Sequence, residues 1–368
     1  MEVLKINVPS LFITKLYLYT FLNLLQDCSL KEVEKYIIVE GKDISYDFAE
    51  RLRDVAEFKK NENIPMSGND RNIFEKVKNE IGCPQVSPKD LLETYANMVE
   101  SKGLQRLKDG LKSFSTSKGY AMPSIFKLEL YKLVRAPLLK DGTSINIKLS
   151  LDYFIVLLAG YLMSRVGRAP YKDINDQLSI HILPLSLGWR SDIWYMFIQN
   201  NAQKLLPGFD PQEALILWLI QANWEIINRE IRDIFVVGVK DPKGANPASI
   251  GIGFQAPLEN IIQNYSQSLE VIMENKRGKK ALESLLRYAL RPPDRRNLKN
   301  RELALKLTKK LFLAIEGDIK SLEDLMLLSS RVEQSLSRYE RNESEELKNI
   351  AKYGRILASL LLKQFYSY

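Results

Sequence analysis

KRGKKALESLLRYALRPPDRRNLKNRELALKLTKK, residues 276–310, carries thirteen Lys or Arg against three acids, Glu283, Asp294 and Glu302. The whole chain has 53 basic and 45 acidic side chains, so 40 and 42 remain outside this stretch. The positive charge is therefore local, and a local excess of this kind usually serves a polyanion.

The same stretch is patterned for helix. Leu282, Leu285, Leu286, Ala289 and Leu290 recur at spacings of three and four and share one face. Lys280, Arg287 and Arg291 form a row elsewhere on that helix. Pro292 and Pro293 end it, because proline has no amide proton and restricts the residue before it. Asp294 or Asn297 is placed to cap a second helix, whose buried stripe reads Leu303, Leu307, Leu311 and Ile315. Lys299, Lys306 and Lys310 make its basic row, and Arg295-Arg296 forms the elbow between the two. One such helix alone is most simply a solvated face. Two helices and a connector of one sign favour nucleic acid.

Working outward, 368 residues suffice for two domains with a substantial core. A hydrophobic content of 45% and a charged content of 27% describe an ordinary soluble globular protein. The longest apolar run, Tyr153 to Met163, spans eleven residues, whereas a bilayer needs roughly 20. No signal-peptide pattern opens the chain, which gives a cytoplasmic expectation. Abundant Lys and Glu beside few Cys suit a thermophile. Cys28, Cys83 and the lone His181 are too few for a zinc centre or a histidine-based metallonuclease, so neither metal nor cofactor is expected. His181 lies in the strand-like run LSIHILPL and reads as a hydrogen-bonded core histidine.

The expected fold is mainly α: a helical N-terminal region with a small β hairpin or sheet, and a C-terminal helical bundle. Residues 10–26 are dense enough in apolar residues for a buried helix. Further helices are expected at Tyr46–Lys60, Asn69–Ile81 and Pro88–Lys102, the last capped by Ser87. The alternation in SIFKLELYKLV and INIKLSL, joined through Asp141-Gly142, predicts a hairpin within 125–150. A boundary near residue 150 separates a domain of 1–150 from one of 151–368. The second opens with a buried helix, Leu151 to Val166, and the basic loop SRVGRAPYKD. A long helix from Pro211 to about Val236 is expected next, then the glycine-bearing connector Val239 to Phe254. From Pro257 onward the pattern is consecutive helices, with Ser321 and Asp324 as a box-like start for one and Ser344 opening the last.

Catalytic patterns are missing. Gly278-Lys279-Lys280 lacks the hydroxyl of a phosphate loop, Gly251-Ile252-Gly253 lacks the third glycine of a dinucleotide site, and a single histidine leaves little room for nucleophilic catalysis. The chain does not read as an enzyme, and a nuclease with an atypical carboxylate site is the weakest alternative.

With its basic helix pair, its helical C-terminal half and the segment GRAPYKDINDQLSIHILPLSLGWRSDIW, the chain resembles the large subunit of the archaeal type I-A CRISPR interference complex, most closely from about residue 150 to the end. The resemblance implies a non-catalytic subunit that helps recognise the motif flanking target DNA, stabilises opened DNA and presents it to the helicase–nuclease. It implies as partners target DNA, a crRNA-containing complex, CRISPR backbone subunits and a small helical subunit, with no membrane and no small-molecule substrate. The candidate nucleic-acid-binding residues are Lys279, Lys280, Arg287, Arg291, Arg295, Arg296, Lys299, Arg301, Lys306, Lys309 and Lys310, with Arg165, Arg168 and Lys172 from the basic loop. Lys240, Lys243, Asn246 and Gln255 are the polar candidates for reading the flanking motif. Small residues there allow close backbone approach, although a plain surface hairpin has the same composition. The rival reading is a scaffold or interaction protein whose basic helices bind an acidic protein partner.

Overall fold

The computed structural model describes residues 1–129, 147–172, 175–204, 206–227, 231–294, 297–336 and 342–365. Helices dominate, so the mainly α expectation holds. The chain forms two compact units, one of Met1–Val166, Ser179–Gln199 and Ile234–Gln255, the other of Gly167–Leu178, Asn200–Asp233 and Ala256–Tyr368. The chain returns to the first unit twice after Val166, so the units are not consecutive in sequence.

The first unit opens with a three-stranded antiparallel sheet. Strands β1 (Glu2–Asn7) and β2 (Cys28–Val33) both pair with β3 (Tyr36–Gly41), which lies between them. Leu4, Ile6, Ile37 and Val39 point inward from alternate positions. Helix α1 (Phe12–Leu22) is buried on most sides, as its density of apolar residues implied. Helix α2 (Ile44–Phe58) starts at Asp43, whose carboxylate accepts the Tyr46 amide at 3.0 Å. Helix α3 (Gly68–Ile81) opens with a Ser67–Asp70 capping box and stops at Gly82, in the left-handed region at φ 73°. Helix α4 (Pro88–Gly110) uses Ser87 as its cap. The aromatic core joins these elements edge to face through Phe21–Phe48, Phe74–Phe154 and Phe126–Phe154. Helix α5 (Leu151–Ser164) packs so closely on α1 that the Tyr17 carbonyl occupies the space a side chain at Gly160 would need.

Strands β4 (Tyr120–Ala121) and β5 (Lys148–Leu149) form a short antiparallel pair. Over its described residues the hairpin strand expected from Ser124 does not form: Ser124–Phe126 is a 3-10 turn, and residues 128–129 are helical. Tertiary packing decides here, since Ile125, Phe126 and Leu128 are all buried and need no alternating face. Asp141-Gly142 lies outside the described residues. A four-stranded sheet runs in the order β6 (Arg165–Pro170), β7 (Gln177–Pro184), β8 (Ile234–Lys240), β9 (Ser249–Ala256). The sequence SRVGRAPYKD thus starts a strand rather than a loop. Helix α6 (Ser191–Gln203) follows β7.

In the second unit the long helix expected at 211–236 is interrupted. Helix α7 (Gln212–Ala222) ends at Asn223, a short turn α8 covers Trp224–Ile227, and Ile234 already belongs to β8. The buried Asn201–Asn223 side-chain pair, at 3.2 and 3.3 Å, fixes that break. Helices α9 (Leu258–Met273), α10 (Lys276–Leu290), α11 (Leu298–Ile315), α12 (Ile319–Leu336) and α13 (Asn342–Phe365) form the expected bundle. Asp318, not Ser321, caps α12, accepting from the Lys320 amide at 3.1 Å and the Ser321 hydroxyl at 2.6 Å. No described helix is long and apolar enough to cross a membrane.

Candidate nucleic-acid interface

The basic stretch folds into the α10–elbow–α11 hairpin. Asn275 caps α10 by accepting the Arg277 and Gly278 amides at 3.0 Å each. Gly278 is buried, and a Cβ there would lie 2.6 Å from the Ile272 carbonyl oxygen, so the position calls for glycine. The nominated stripes, Leu282 to Leu290 and Leu303 to Ile315, are buried. Arg295 and Arg296 lie outside the described residues. Asn297 turns its side chain back to accept the Asp294 amide at 3.0 Å rather than capping α11.

The cations differ in how far they are committed to the fold. Arg301 is 14% exposed, donates from Nε to the Arg291 carbonyl at 2.6 Å and faces Asp210 at 3.6 Å, so it ties α11 to the end of α10. Arg287 bonds Glu283 at 2.9 Å and lies over the Trp218 indole at 5.3 Å. Lys310 meets Asp324 at 2.6 Å, and Lys279 stands 4.0 Å from Glu225. These three pairs are exposed, so each is worth at most about 1 kcal/mol and a phosphate can exchange for the carboxylate. Lys280, Lys299, Lys306 and Lys309 are exposed, with no carboxylate within 4.0 Å among the described residues. Arg291 is exposed too, its guanidinium 4.8 Å from the Tyr288 ring centre. The α10 row borders Trp218 and Glu225, whereas the α11 row borders Asp324 of α12. The two rows therefore have different neighbours.

One cation of this surface was not found in the sequence. Lys204 donates to the Ala222 carbonyl at 2.5 Å. Burial, and then the Lys279 ammonium, push its pKa down. It stands 75 positions before Lys279 in the chain, and no spacing rule connects them.

The basic segment after α5 divides differently. Arg165 is buried, bonded to Asp241 at 3.3 Å and facing Glu62 at 3.5 Å. Lys59, only 1% exposed, donates to Glu62 at 2.7 Å and to the Arg165 carbonyl at 2.5 Å. Burial pushes the Lys59 pKa down, against the pull of Glu62. Arg165 is therefore corrected from a candidate phosphate ligand to an interior ion-pair member, because two carboxylates hold it below the surface. Arg168 and Lys172 remain exposed.

The connector Val239 to Phe254 is a β hairpin whose tip, residues 241–248, joins β8 to β9. Lys243 and Asn246 exchange backbone hydrogen bonds at 3.0 and 3.1 Å around Gly244, which sits at φ 60°. The Gly244 carbonyl accepts the Gly68 amide at 3.0 Å, and the Ala248 amide donates to Ser124 Oγ at 3.3 Å. Ser124 in turn donates to the buried Asp70 at 2.6 Å, and Ser179 donates to Asp241 at 2.8 Å. Anchored at both ends, the tip presents Lys243, Gly244, Ala245 and Asn246 to solvent. Lys240 and Gln255 are exposed on the flanking strands.

His181 is fully buried and its pKa is pushed well down, first by burial and then by Arg165 and Lys59. The Ser164 hydroxyl donates to the Tyr161 carbonyl at 2.9 Å, so the proton between Ser164 and His181, also 2.9 Å apart, comes from Nδ1. This is a neutral core histidine. Among the described residues no group of three His, Cys, Asp or Glu is placed to hold a metal ion.

No curated protein matches the chain. The family model described as CRISPR-associated protein, CsaX, matches residues 31–333, which includes helices α2 to α4, the loop 241–248 and the basic hairpin. That span exceeds half of the sequence, and the chain belongs to the CsaX family of CRISPR-associated proteins.

Proposed function

We propose that this CRISPR-associated chain is the non-catalytic large subunit of a type I-A interference complex, which binds target DNA, reads its flanking motif, stabilises the opened strands and presents them to the helicase–nuclease. The carrying observation is the set of exposed cations on α10, its C-cap and α11 that meet no carboxylate among the described residues: Lys280, Arg291, Lys299, Lys306 and Lys309. Lys279, Arg287 and Lys310 join them by giving up weak surface pairs. Contacts of this kind supply affinity without sequence information. The anchored tip at 243–246 supports the reading half of the role, since small residues and one asparagine on a fixed loop suit approach to base edges.

The test is fluorescence anisotropy on labelled duplex DNA from 50 to 200 mM salt, using the chain with whatever CRISPR subunits and guide RNA copurify. The Lys299→Ala/Lys306→Ala/Lys309→Ala variant should flatten the salt slope by roughly 2.7, at about 0.9 per lost phosphate contact. Asn246→Ala should change discrimination between flanking motifs more than overall affinity. An unchanged slope rejects the phosphate assignment. Cations that instead protect against exchange only on an acidic protein subunit would establish the scaffold alternative.

A further inference from the structure

The N-terminal sheet has a second face that the proposed function leaves unused. The side chains of β1, β2 and β3 that do not enter the core lie in three cross-strand rows. These are Val3–Glu40–Ser29, Lys5–Ile38–Lys31 and Asn7–Tyr36–Val33. Helices cover the other face, where Leu4, Ile6, Ile37 and Val39 are buried. On the outer face Val3 is 45% and Val33 39% exposed, and Lys5 and Lys31 are exposed on the two edge strands. Tyr36 stands on the central strand. The Lys5 ammonium lies diagonally over its ring at 5.1 Å, and Lys35, from the two-residue turn, lies 5.8 Å from the ring centre. Glu40, the acid of this face, is half-buried two residues along β3 from Lys31's partner Ile38.

We propose that this outer face binds a single strand of nucleic acid, with one base against Tyr36 and the backbone phosphates on Lys5, Lys31 and Lys35. A ring on a middle strand with cations to either side supplies the two contacts that single strands require, stacking for a base and charge for the backbone. The lysines on β1 and β2 are two strand spacings apart, about 10 Å, and so straddle the ring's strand. A duplex keeps its bases stacked and cannot offer one to a flat sheet, so the face selects single strands over double. The site lies on elements separate from α10 and α11, and it stands or falls independently of them.

The experiment compares labelled 12-nucleotide RNA, DNA of the same sequence and the corresponding duplex, by anisotropy on the full chain. Tyr36→Ala should weaken single-strand binding about tenfold, as loss of one stacked base does, and leave the duplex unchanged. Tyr36→Phe, which keeps the ring, should bind within about twofold of wild type. Lys5→Ala/Lys31→Ala/Lys35→Ala should lower the single-strand salt slope by about 2, at roughly 0.7 per contact. Circular dichroism confirms that each variant is folded, and the lysine variant decides the matter should Tyr36→Ala fail to fold. The proposal is overturned if wild type binds no single strand, if Tyr36→Ala and the lysine variant bind it unchanged, or if duplex binding falls in parallel. Repeating the series on Lys299→Ala/Lys306→Ala/Lys309→Ala separates the two sites. Duplex binding that survives there removes the helix reading and leaves this one intact.

Discussion

Arg165 offers a direct contest between burial and basicity. Its side chain is 9% exposed, with Asp241 at 3.3 Å, Glu62 at 3.5 Å and the Asn63 carbonyl at 3.4 Å. Breaking a buried pair by removing one member costs about 3–5 kcal/mol, because the partner charge stays desolvated. Here Glu62 is 34% and Asp241 19% exposed, so water relieves part of that penalty. Lys59 also continues to hold Glu62. Arg165→Ala should therefore cost about 2–3 kcal/mol, below the full buried-pair range. Arg165→Met keeps the aliphatic stem and should lose less, the difference reporting its packing. Adding Asp241→Asn to Arg165→Met should cost less than the two single changes summed, by about 1 kcal/mol of coupling. Urea unfolding followed by tryptophan fluorescence measures all four stabilities. Should Arg165→Ala lose under about 1 kcal/mol while flattening the salt slope of DNA binding by about one contact, the side chain works at the surface and the argument from burial fails.

His181 gives a pH test. Its folded pKa is depressed below the ordinary value of about 6.5, so between the two the unfolded chain binds a proton that the folded chain does not. Stability is then full above about pH 6.5 and falls below it by up to about 1.4 kcal/mol per pH unit. His181→Phe should flatten that slope between about pH 5 and 6.5 in urea titrations; parallel slopes would mean the histidine protonates in place. Gly160→Ala should destabilise by about 3 kcal/mol, since a methyl group there meets the Tyr17 carbonyl and forces α1 from α5. A thermal melt within a degree of wild type would contradict that packing. Asp70→Ala removes the acceptor of Ser67 and Ser124, and hydrogen exchange at Gly68 and Ala248 should accelerate, reporting a loosened 241–248 tip. Unchanged exchange at both amides would show that the tip is fixed by other contacts.

The helical bundle was legible because helix is a local decision. Leu282 to Leu290 and Leu303 to Ile315 repeat at helical spacing, and the double proline marks the end of the first run. Ser87-Pro88 announced α4 for the same reason. The sheet of β1, β2 and β3 went unread because strands answer to partners far along the chain. Glu2–Asn7 is six residues long and needs Tyr36–Gly41 to be a strand at all. The run from Ser124 alternates as a strand should, yet Thr14, Asp70 and Ala248 all bond within 124–126 and bend it into a turn. Beyond Ala222 apolar residues still recur at helical spacing, and the Asn201–Asn223 contact, 22 residues apart, explains why the helix breaks there.

Charge along a chain and charge available to a ligand are different quantities, and the basic hairpin shows where they separate. Only the Arg287–Glu283 pair, at i,i+4 on one helix, can be read from spacing. Asp210 reaches Arg301 from 91 residues away and Asp324 reaches Lys310 from 14, so neither neutralisation is visible in the local excess. The reverse holds for Lys204, which adds to the surface from outside the segment. Arg165 and Lys299 look alike in sequence, each a cation in a basic run. One is enclosed by Glu62 and Asp241, and the other is exposed with no carboxylate within 4.0 Å among the described residues. Alanine substitution should sort the cations by that enclosure rather than by their position in the run. Lys299, Lys306 and Lys309 should act on binding with little effect on folding. Arg301 should act on both, because its contact to the Arg291 carbonyl ties α11 to the end of α10.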